Sequence, residues 1–154
     1  MKKISCLRSA LFAATMALSM TISPNLMAQV FPPGGFAIDG IPVACGPLPT
    51  ILTTNIPDAA MNNGQAILIN PAVVGTFPHV LKLWAYAHEC GHAFVGANEI
   101  GADCWAVTTG KHQGWFPPQA FSALIQLFGN NPGNLNHPPG PVRIQAMLQC
   151  YQSN

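Results

Sequence analysis

The 154-residue sequence contains very little charge: only 7% of its residues are Asp, Glu, Lys or Arg. Six residues are basic, five are acidic, and only two of the acidic residues are glutamates. The sequence therefore lacks the basic patch with which proteins bind nucleic acid or an anionic membrane. It also lacks internal repeats and low-complexity tracts, and a chain of this length suits one domain with one modest core.

The first 28 residues have the pattern of a signal peptide. Three basic residues near the N-terminus precede an apolar stretch from Ala10 to Ile22, which is too short to span a bilayer comfortably. Cleavage after Ala28 would take away half of the basic residues and none of the acidic ones, leaving a formal charge of −2. We expect an exported protein, periplasmic or extracellular, with no stable membrane insertion after cleavage. An uncleaved membrane anchor is the alternative.

Four cysteines follow the predicted signal peptide: Cys45, Cys90, Cys104 and Cys150. Their spacing contains no CxxC pair, which argues against a zinc site made of four thiolates. In an exported chain, four cysteines favour two disulfides, and three pairings are possible. We prefer Cys45–Cys90 with Cys104–Cys150.

Residues 29–49 are rich in proline and glycine and predict an irregular arm that precedes a single domain at 50–154. Two short β-like runs follow, Thr50–Thr54 and Gln65–Asn70, separated by the turn-rich segment NIPDAAMNNG. The second run stops at Pro71, which cannot donate to a β-ladder.

Four helices are predicted after these strands. The first runs from Pro78 to Val95 with Thr76 as its N-cap, and it is apolar nearly all round, as a central helix should be. The others run from Glu99 to Thr109 with a stop at Gly110, from Pro117-Pro118 to Gly129-Asn130, and from Pro139–Pro141 to near Cys150. The predicted fold is α+β and mostly helical, with a small sheet before the central helix.

The sequence His88-Glu89-Cys90-Gly91-His92 lies inside the predicted central helix. Residues four apart share one face of a helix, so both imidazoles can reach one cation. Glu89 lies one step round the helix and can contact a water on that cation without binding the metal. This arrangement is typical of zinc hydrolases, in which the glutamate is the general base. The alternative is a buried helix whose histidines only form local hydrogen bonds.

Both glutamates of the chain lie near this motif, which favours the metal site because buried charges need partners. A catalytic zinc takes a third protein ligand and keeps one open position. Glu99 begins the next helix after a break at Gly96-Ala97-Asn98 and is the candidate third ligand. Asp103 lies on the same face and can reach a ligand imidazole from behind. The alternative for Glu99 is a favourable charge at a helix N-terminus.

The remaining candidates are less specific. Cys90 lies about 160° from His92 around the helix and should point away from the metal. We expect His79 to be structural and His112 to be exposed. Arg143 could neutralise Asp103 or Glu99 in a buried site, or could lie at the surface.

The combination of HECGH with Glu99 and Asp103 resembles the gluzincin metallopeptidases, whose pattern is HExxH on one helix and ExxxD on the next. The later His-Pro and Arg make it similar to the HtpX and CAAX-prenyl type of peptidase. It is also similar to small exported bacterial proteins with HECGH, GADCWAV and a terminal HP…R…C pattern. The resemblance covers about Ile67 to Cys150. Only six residues separate His92 from Glu99, fewer than in most gluzincins.

This resemblance implies a minimal zincin-like catalytic core with one zinc ion per chain. It implies His88, His92 and Glu99 as ligands, Glu89 as general base and Asp103 as the partner of His88. It also makes His137 a candidate for stabilising an oxyanion and Arg143 a candidate for supporting the site. An edge strand, expected at Ala66–Asn70, would pair with an extended peptide substrate.

The function expected from these observations is that of an exported zinc metallopeptidase acting on a peptide or protein. Two other functions fit parts of the sequence. One is an exported protein that binds zinc without catalysis. The other is an interaction domain held together by disulfides, without a metal.

Overall fold

The computed structural model describes residues 28–153, and the predicted signal peptide lies outside these residues apart from Ala28. The described chain is α+β and mostly helical, as predicted. Its strands are β1 (Gln29–Phe31), β2 (Phe36–Ile38), β3 (Ile41–Val43), β4 (Thr50–Leu52), β5 (Ala60–Asn62) and β6 (Ile67–Ile69). Its helices are α1 (Pro71–Val74), α2 (His79–Val95), α3 (Glu99–Gln113), α4 (Phe121–Phe128) and α5 (Gly140–Ser153), with a 3-10 turn at Pro118–Ala120.

Four strands form one sheet in the order β1-β4-β6-β5, and β2 and β3 form a separate hairpin. β4 and β6 are parallel, whereas β1–β4 and β5–β6 are antiparallel. The expectation that Ala66–Asn70 supplies an edge strand was wrong, because β6 lies between β4 and β5. The edge strand next to β6 is β5, which comes from the segment that was predicted to be a turn.

The prediction of an irregular arm at residues 29–49 was also wrong, since this segment contains β1, β2 and β3. Its glycines suggested irregular structure, but Gly34 and Gly40, both with positive φ, lie in the tight turns that follow β1 and β2. Each strand is only three residues long, so the alternation of polar and apolar residues is too short to predict it.

The central helix α2 begins at His79, and its N-cap is Pro78 rather than Thr76. The Thr76 hydroxyl instead donates to the Val73 carbonyl in the preceding turn. Helix α3 continues past Gly110, its predicted end, to Gln113. A Cβ at Gly110 would lie 2.5 Å from Cβ of Phe116, so this glycine permits close packing and does not end the helix.

Two groups of buried apolar residues meet at α2, which explains why this helix is apolar nearly all round. One group lies between α2 and the later helices and includes Leu81, Phe116, Leu124 and Met147. The other lies between α2 and the strands and includes Ile38, Ile67, Ile69 and Tyr86. Each such side chain contributes about 1.5–3 kcal/mol on burial, so both groups hold α2 in place.

Two disulfides join Cys45 to Cys90 and Cys104 to Cys150, the pairs preferred from the sequence. The first ties the β3–β4 connection to α2, and the second ties α3 to α5. Among the described residues, no helix has both the length and the apolar composition needed to cross a membrane.

Candidate metal centre

Two histidine side chains of α2 converge on one point. His88 is buried and His92 is half-buried, and their Nε2 atoms lie 3.2 Å apart. This proximity follows from the spacing of four residues, which places both rings on one face of the helix. The face points toward α3.

Glu99, the first residue of α3, completes the cluster. Its Oε2 lies 3.3 Å from Nε2 of His88, and its Oε1 lies 3.4 Å from Nε2 of His92. The side chain of Asn98 caps this helix by accepting a hydrogen bond from the Gly101 amide at 3.0 Å. One ligand atom from each of the three residues lies within 4.8 Å of the others, so the group could hold a metal ion.

The chain between the two helices also fixes the His92 ring. The Gly96 carbonyl lies 2.7 Å from Nδ1 of His92, and a carbonyl can only accept a hydrogen bond. The ring proton therefore belongs on Nδ1, and the Nε2 lone pair faces the cluster. Nδ1 of His88 lies 2.9 Å from a carboxylate oxygen of Asp103, outside hydrogen-bond geometry, and the negative charge there favours a proton on Nδ1 of this ring as well.

The two Nε2 atoms and the two carboxylate oxygens of Glu99 consequently face one another with their lone pairs. Lone pairs at such short distances repel, and only a shared cation, either a proton or a metal ion, makes the arrangement favourable. Consistent with this, the buried Oε2 of Glu99 has no hydrogen-bond partner among the described residues. The donor set of two imidazoles and one carboxylate fits a metal ion.

A close approach of α2 and α3 brings Glu99 to the histidines. A Cβ at Gly91 would lie 3.0 Å from Cα and 3.1 Å from the carbonyl oxygen of Ala102. A side chain at position 91 would require the backbone of Ala102 to move by a few tenths of an ångström. The glycine within HECGH therefore sets the distance between the helices that carry the ligands.

Behind His88 lies a buried ion pair between Asp103 and Arg143. Nε and Nη2 of Arg143 each donate to one carboxylate oxygen of Asp103 at 2.7 Å. Asp103 has no exposed surface, and Arg143 is only 9% exposed. Nη2 of Arg143 also lies 3.9 Å from Glu99 Oε2. The guanidinium thus offsets negative charge on both carboxylates, one of the two placements considered for Arg143.

The pKa values within the cluster show how strongly its members interact. Burial lowers the pKa of His88, but contacts with Asp103 and Glu99 outweigh it and raise the pKa to about 9. Burial acts to raise the pKa of Asp103 and of Glu99, but hydrogen bonds and charges from neighbouring residues outweigh it, and both pKa values are lowered. Those neighbours are chiefly Arg143 for Asp103 and His88 for Glu99. Without a metal, the cluster therefore favours carboxylates beside a protonated His88.

Glu89 lies beside the cluster and is held by β5. Its Oε2 accepts a hydrogen bond from the backbone N–H of Asn62 at 2.8 Å. Its backbone carbonyl accepts one from the Asn62 side chain, also at 2.8 Å. Burial raises the pKa of Glu89, whereas the neighbouring imidazoles and the Asn62 amide act in the opposite direction.

His137 reaches the cluster from the loop between α4 and α5. Its Nε2 lies 3.7 Å from Oε2 of Glu99, and about a third of its side chain is exposed. The loop is braced by Asn134, whose backbone N–H donates to the His137 carbonyl at 2.9 Å. The Asn134 side chain accepts from the His137 amide at 2.9 Å. This imidazole borders the open side of the cluster.

Two cavities meet at Glu89 and His137. One, of about 320 Å³, is lined by aromatic and apolar side chains that include Phe77, Trp84, Leu127 and Phe128. The other, of about 400 Å³, has mainly polar or small neighbours, including Asn62, Gly64, Ala97 and Asn136. Both cavities also touch Asp58 and Ala60, so a molecule bound along β5 would pass from one to the other.

The other sequence candidates lie away from the cluster. His79 pairs with Asp39 at 2.9 Å, and His112 is exposed, as expected for both. Cys90 is buried in its disulfide on the far side of α2.

Three residues of the site were not predicted: Asn62, Gly91 and Trp84. The Trp84 ring packs against the imidazole of His88, with 5.3 Å between ring centroids. Its spacing of four residues from His88 on one helix could have indicated this contact. The part played by Asn62 depends on a strand that the sequence did not reveal.

No protein-family model, curated protein or solved structure matches this chain.

Proposed function

We propose that this chain is an exported zinc-dependent peptidase in which His88, His92 and Glu99 bind one zinc ion. The observation that supports this most strongly is the convergence of His88, His92 and Glu99, one ligand atom of each lying within 4.8 Å of the others. Atoms about 2.0–2.1 Å from a tetrahedral zinc ion lie about 3.3–3.4 Å from one another. The two Nε2 atoms, 3.2 Å apart, come near this spacing, and each contacts a different oxygen of Glu99, so the donor set and the spacing of the histidines support zinc.

Access to the cluster favours catalysis over a structural metal. Structural zinc sites use four protein ligands, whereas catalytic sites use three and keep one position open. Three ligands are available here, and the cavities on either side lead to Glu89 and His137. When bound, zinc supplies a positive charge that acidifies water and polarises a carbonyl group.

The chain's own residues would carry the proton transfers. The Glu89 carboxylate takes a proton from the attacking water and delivers it to the amine that leaves when the peptide bond breaks. His137 donates a hydrogen bond to the oxyanion that develops on the attacked carbonyl. The Asp103 carboxylate holds the His88 ring in the tautomer that binds a metal, and Arg143 keeps that carboxylate ionised.

The edge of β5 is suited to an extended peptide. No strand pairs with β5 on its outer side within the described residues, and Ala60 borders both cavities. A peptide in extended conformation could therefore pair with β5 and pass beside Glu89. The aromatic cavity would accept a bulky apolar side chain next to the scissile bond, and the polar cavity a small or polar one.

Export agrees with the two disulfides, which persist in oxidising compartments such as the periplasm and the extracellular medium. The predicted signal peptide at residues 1–28 provides the route.

A peptide library incubated with zinc-loaded residues 29–154 and read by mass spectrometry tests this function. We expect cleavage that chelator stops, with bulky apolar residues enriched on one side of the cut. Glu89→Gln should retain zinc and lose at least about 100-fold in kcat, since it removes the general base. Equal cleavage by the wild type and by Glu89→Gln would contradict the mechanism.

A further inference from the structure

Strand β5 presents two outward-facing residues. Its register with β6 pairs Ala60 with Ile69 and Asn62 with Ile67. The ladder hydrogen bonds that flank these pairs run from Asn70 to Ala59 and from Asn63 to Ala66. Because hydrogen-bonded and non-hydrogen-bonded pairs alternate in an antiparallel ladder, the N–H and C=O groups of Ala60 and Asn62 point away from β6.

The two outward N–H groups have different surroundings. That of Asn62 donates to Oε2 of Glu89 at 2.8 Å, whereas that of Ala60 has no partner in the described part of the chain. The Asn62 side chain adds a second bond to the Glu89 carbonyl and accepts one from the Gly64 amide, both at 2.8 Å. Asn62 therefore connects strand β5 to both the backbone and the carboxylate of Glu89 on α2.

We propose that Asn62 is a positioning residue that fixes the Glu89 carboxylate through its backbone N–H. This inference rests on the proposed function, in which Glu89 is the general base. With Oε2 engaged by Asn62, Oε1 is the oxygen left to accept a proton, because it has no hydrogen bond among the described residues. A long flexible side chain is thereby restricted to one orientation before substrate binds.

The outward-facing backbone groups of β5 would thus bind two different partners, Glu89 and the substrate. Glu89 occupies the N–H of Asn62, so an extended substrate can use the N–H and C=O of Ala60 but not that amide. Strand β5 would thus align the peptide and also hold the base. The backbone of Asn62 would fix the position of Glu89 relative to the bound peptide.

Amide hydrogen exchange tests the contact without any need for turnover. In the mature wild-type chain, exchange at the Asn62 amide should be slow for an edge strand, and Glu89→Ala should speed it at least about tenfold. The Ala60 amide is the internal control, because it points the same way and does not contact Glu89. An Asn62 amide that exchanges equally fast in both proteins overturns the proposal, whether or not the protein cleaves peptides.

Two substitutions at position 62 test what the contact does. Asn62→Pro removes the backbone donor at an outward-facing edge position, where proline costs the ladder no hydrogen bond. Asn62→Ala keeps that donor and removes only the side-chain bonds. A charge-assisted hydrogen bond of ordinary strength corresponds to roughly 10- to 100-fold in rate. We expect Asn62→Pro to lose this much in kcat, with KM and zinc content nearly unchanged, and Asn62→Ala to lose less than about fivefold.

The outcomes separate this inference from the proposed function. If the wild type cleaves peptides and Asn62→Pro matches Asn62→Ala in kcat, the positioning role is wrong and the peptidase assignment stands. If the wild type cleaves nothing while the exchange result holds, the contact exists but the role as a base is wrong. Should Asn62→Pro fail to fold, the exchange measurement on Glu89→Ala still decides whether the contact exists.

Discussion

Asp103 is fully buried, and its carboxylate is the counter-charge for Arg143 and lies beside the His88 ring. Arg143 donates to both carboxylate oxygens at 2.7 Å, and Nδ1 of His88 lies 2.9 Å from one of them. A buried ion pair contributes little net stability compared with an apolar pair, but removal of one partner leaves an uncompensated charge. We therefore expect substitution of Asp103 to have a large effect, although this residue does not line either cavity.

We predict that Asp103→Asn lowers the free energy of unfolding by about 3–5 kcal/mol, because the buried Arg143 loses the carboxylate that it binds through two hydrogen bonds and keeps only Glu99, at 3.9 Å. Zinc affinity should fall about 10- to 100-fold, since the His88 ring loses the carboxylate that orients it. Urea unfolding and competition with a chelator measure the two effects. Asp58→Asn, at an exposed position, is the matched control and should stay within about 0.5 kcal/mol. Equal effects of the two substitutions would contradict the account.

The stability of the metal-free protein should depend on pH through His88. Its pKa is raised to about 9 in the folded protein, from about 6.5 in an unfolded chain. The stabilisation is therefore complete below pH 6.5 and is lost as the pH rises through 9. Glu99 and Asp103, whose pKa values are lowered, titrate below this range.

Thermal unfolding in chelator should accordingly show a Tm that falls between pH 6.5 and 9. With saturating zinc the trend should reverse over the lower part of this range, because the metal replaces the proton on the same nitrogen. His88→Ala should abolish the metal-free decline, whereas His112→Ala, at an exposed site, should keep it. A metal-free Tm that is independent of pH would show that His88 does not gain a proton on folding.

The spacing of helices α2 and α3 decides whether the three candidate ligands meet. Gly91 lies where the helices are closest, and Gly110 lies where α3 contacts Phe116. Alanine normally stabilises a helix relative to glycine by about 1 kcal/mol. An added methyl group would collide with Phe116 at position 110 and would press tightly on the Ala102 backbone at position 91, so we expect the sign to reverse at both.

We predict that Gly91→Ala and Gly110→Ala each lower the free energy of unfolding by about 1–3 kcal/mol, measured in urea. Only Gly91→Ala should also weaken zinc binding, because it displaces the helix that carries Glu99 from the helix that carries the histidines. Gly110→Ala is the control for loss of stability alone, since it lies at the other end of α3. Unchanged zinc affinity in Gly91→Ala would mean that the helix spacing does not set the site.

The helices were easier to predict from the sequence than the strands, for physical reasons. Helix α2 has a 17-residue apolar pattern with a clear break, and its spacing of four residues correctly placed His88 beside His92. Strand β5 is only three residues long, and the sequence around it is rich in Asn, Asp and Pro. Neither its existence nor its edge position could therefore be predicted. The contact between Asn62 and Glu89 was missed for this reason, since it depends on strand order and not on local pattern.

The Asp103–Arg143 pair illustrates an intermediate case. Its residues were identified, but the sequence left Arg143 open between a buried site and the surface. The two partners lie 40 positions apart in the sequence, and only the packing of α5 on α3 brings them together. In a chain with so few charges, the scarcity of possible partners was a useful signal.

Across the whole molecule, two disulfides link segments that are far apart in the sequence. The disulfides close loops of 45 and 46 residues, each of which restricts the unfolded chain by about 4 kcal/mol. Cys45–Cys90 links the N-terminal strands to the helix of the metal cluster, and Cys104–Cys150 links the helices that carry Asp103 and Arg143. Folding should therefore favour an oxidising compartment.

We predict that the double substitution Cys104→Ser/Cys150→Ser lowers the free energy of unfolding of the metal-free protein by about 2–5 kcal/mol. Excess zinc should restore part of this loss, because a ligand that binds only the folded state stabilises it by mass action. Unfolding curves with chelator and with zinc measure both effects. The wild type under reducing conditions should lose at least as much stability, since it loses both disulfides.

Metal content is the plainest test of whether His88, His92 and Glu99 bind zinc. Elemental analysis of residues 29–154, purified without chelator and then offered zinc, should give about one zinc per chain. The double variant His88→Ala/His92→Ala should give none, while His79→Ala/His112→Ala, which removes two histidines outside the cluster, should keep it. A wild type that neither contains zinc nor takes it up would contradict the account and favour a domain held together by its disulfides alone.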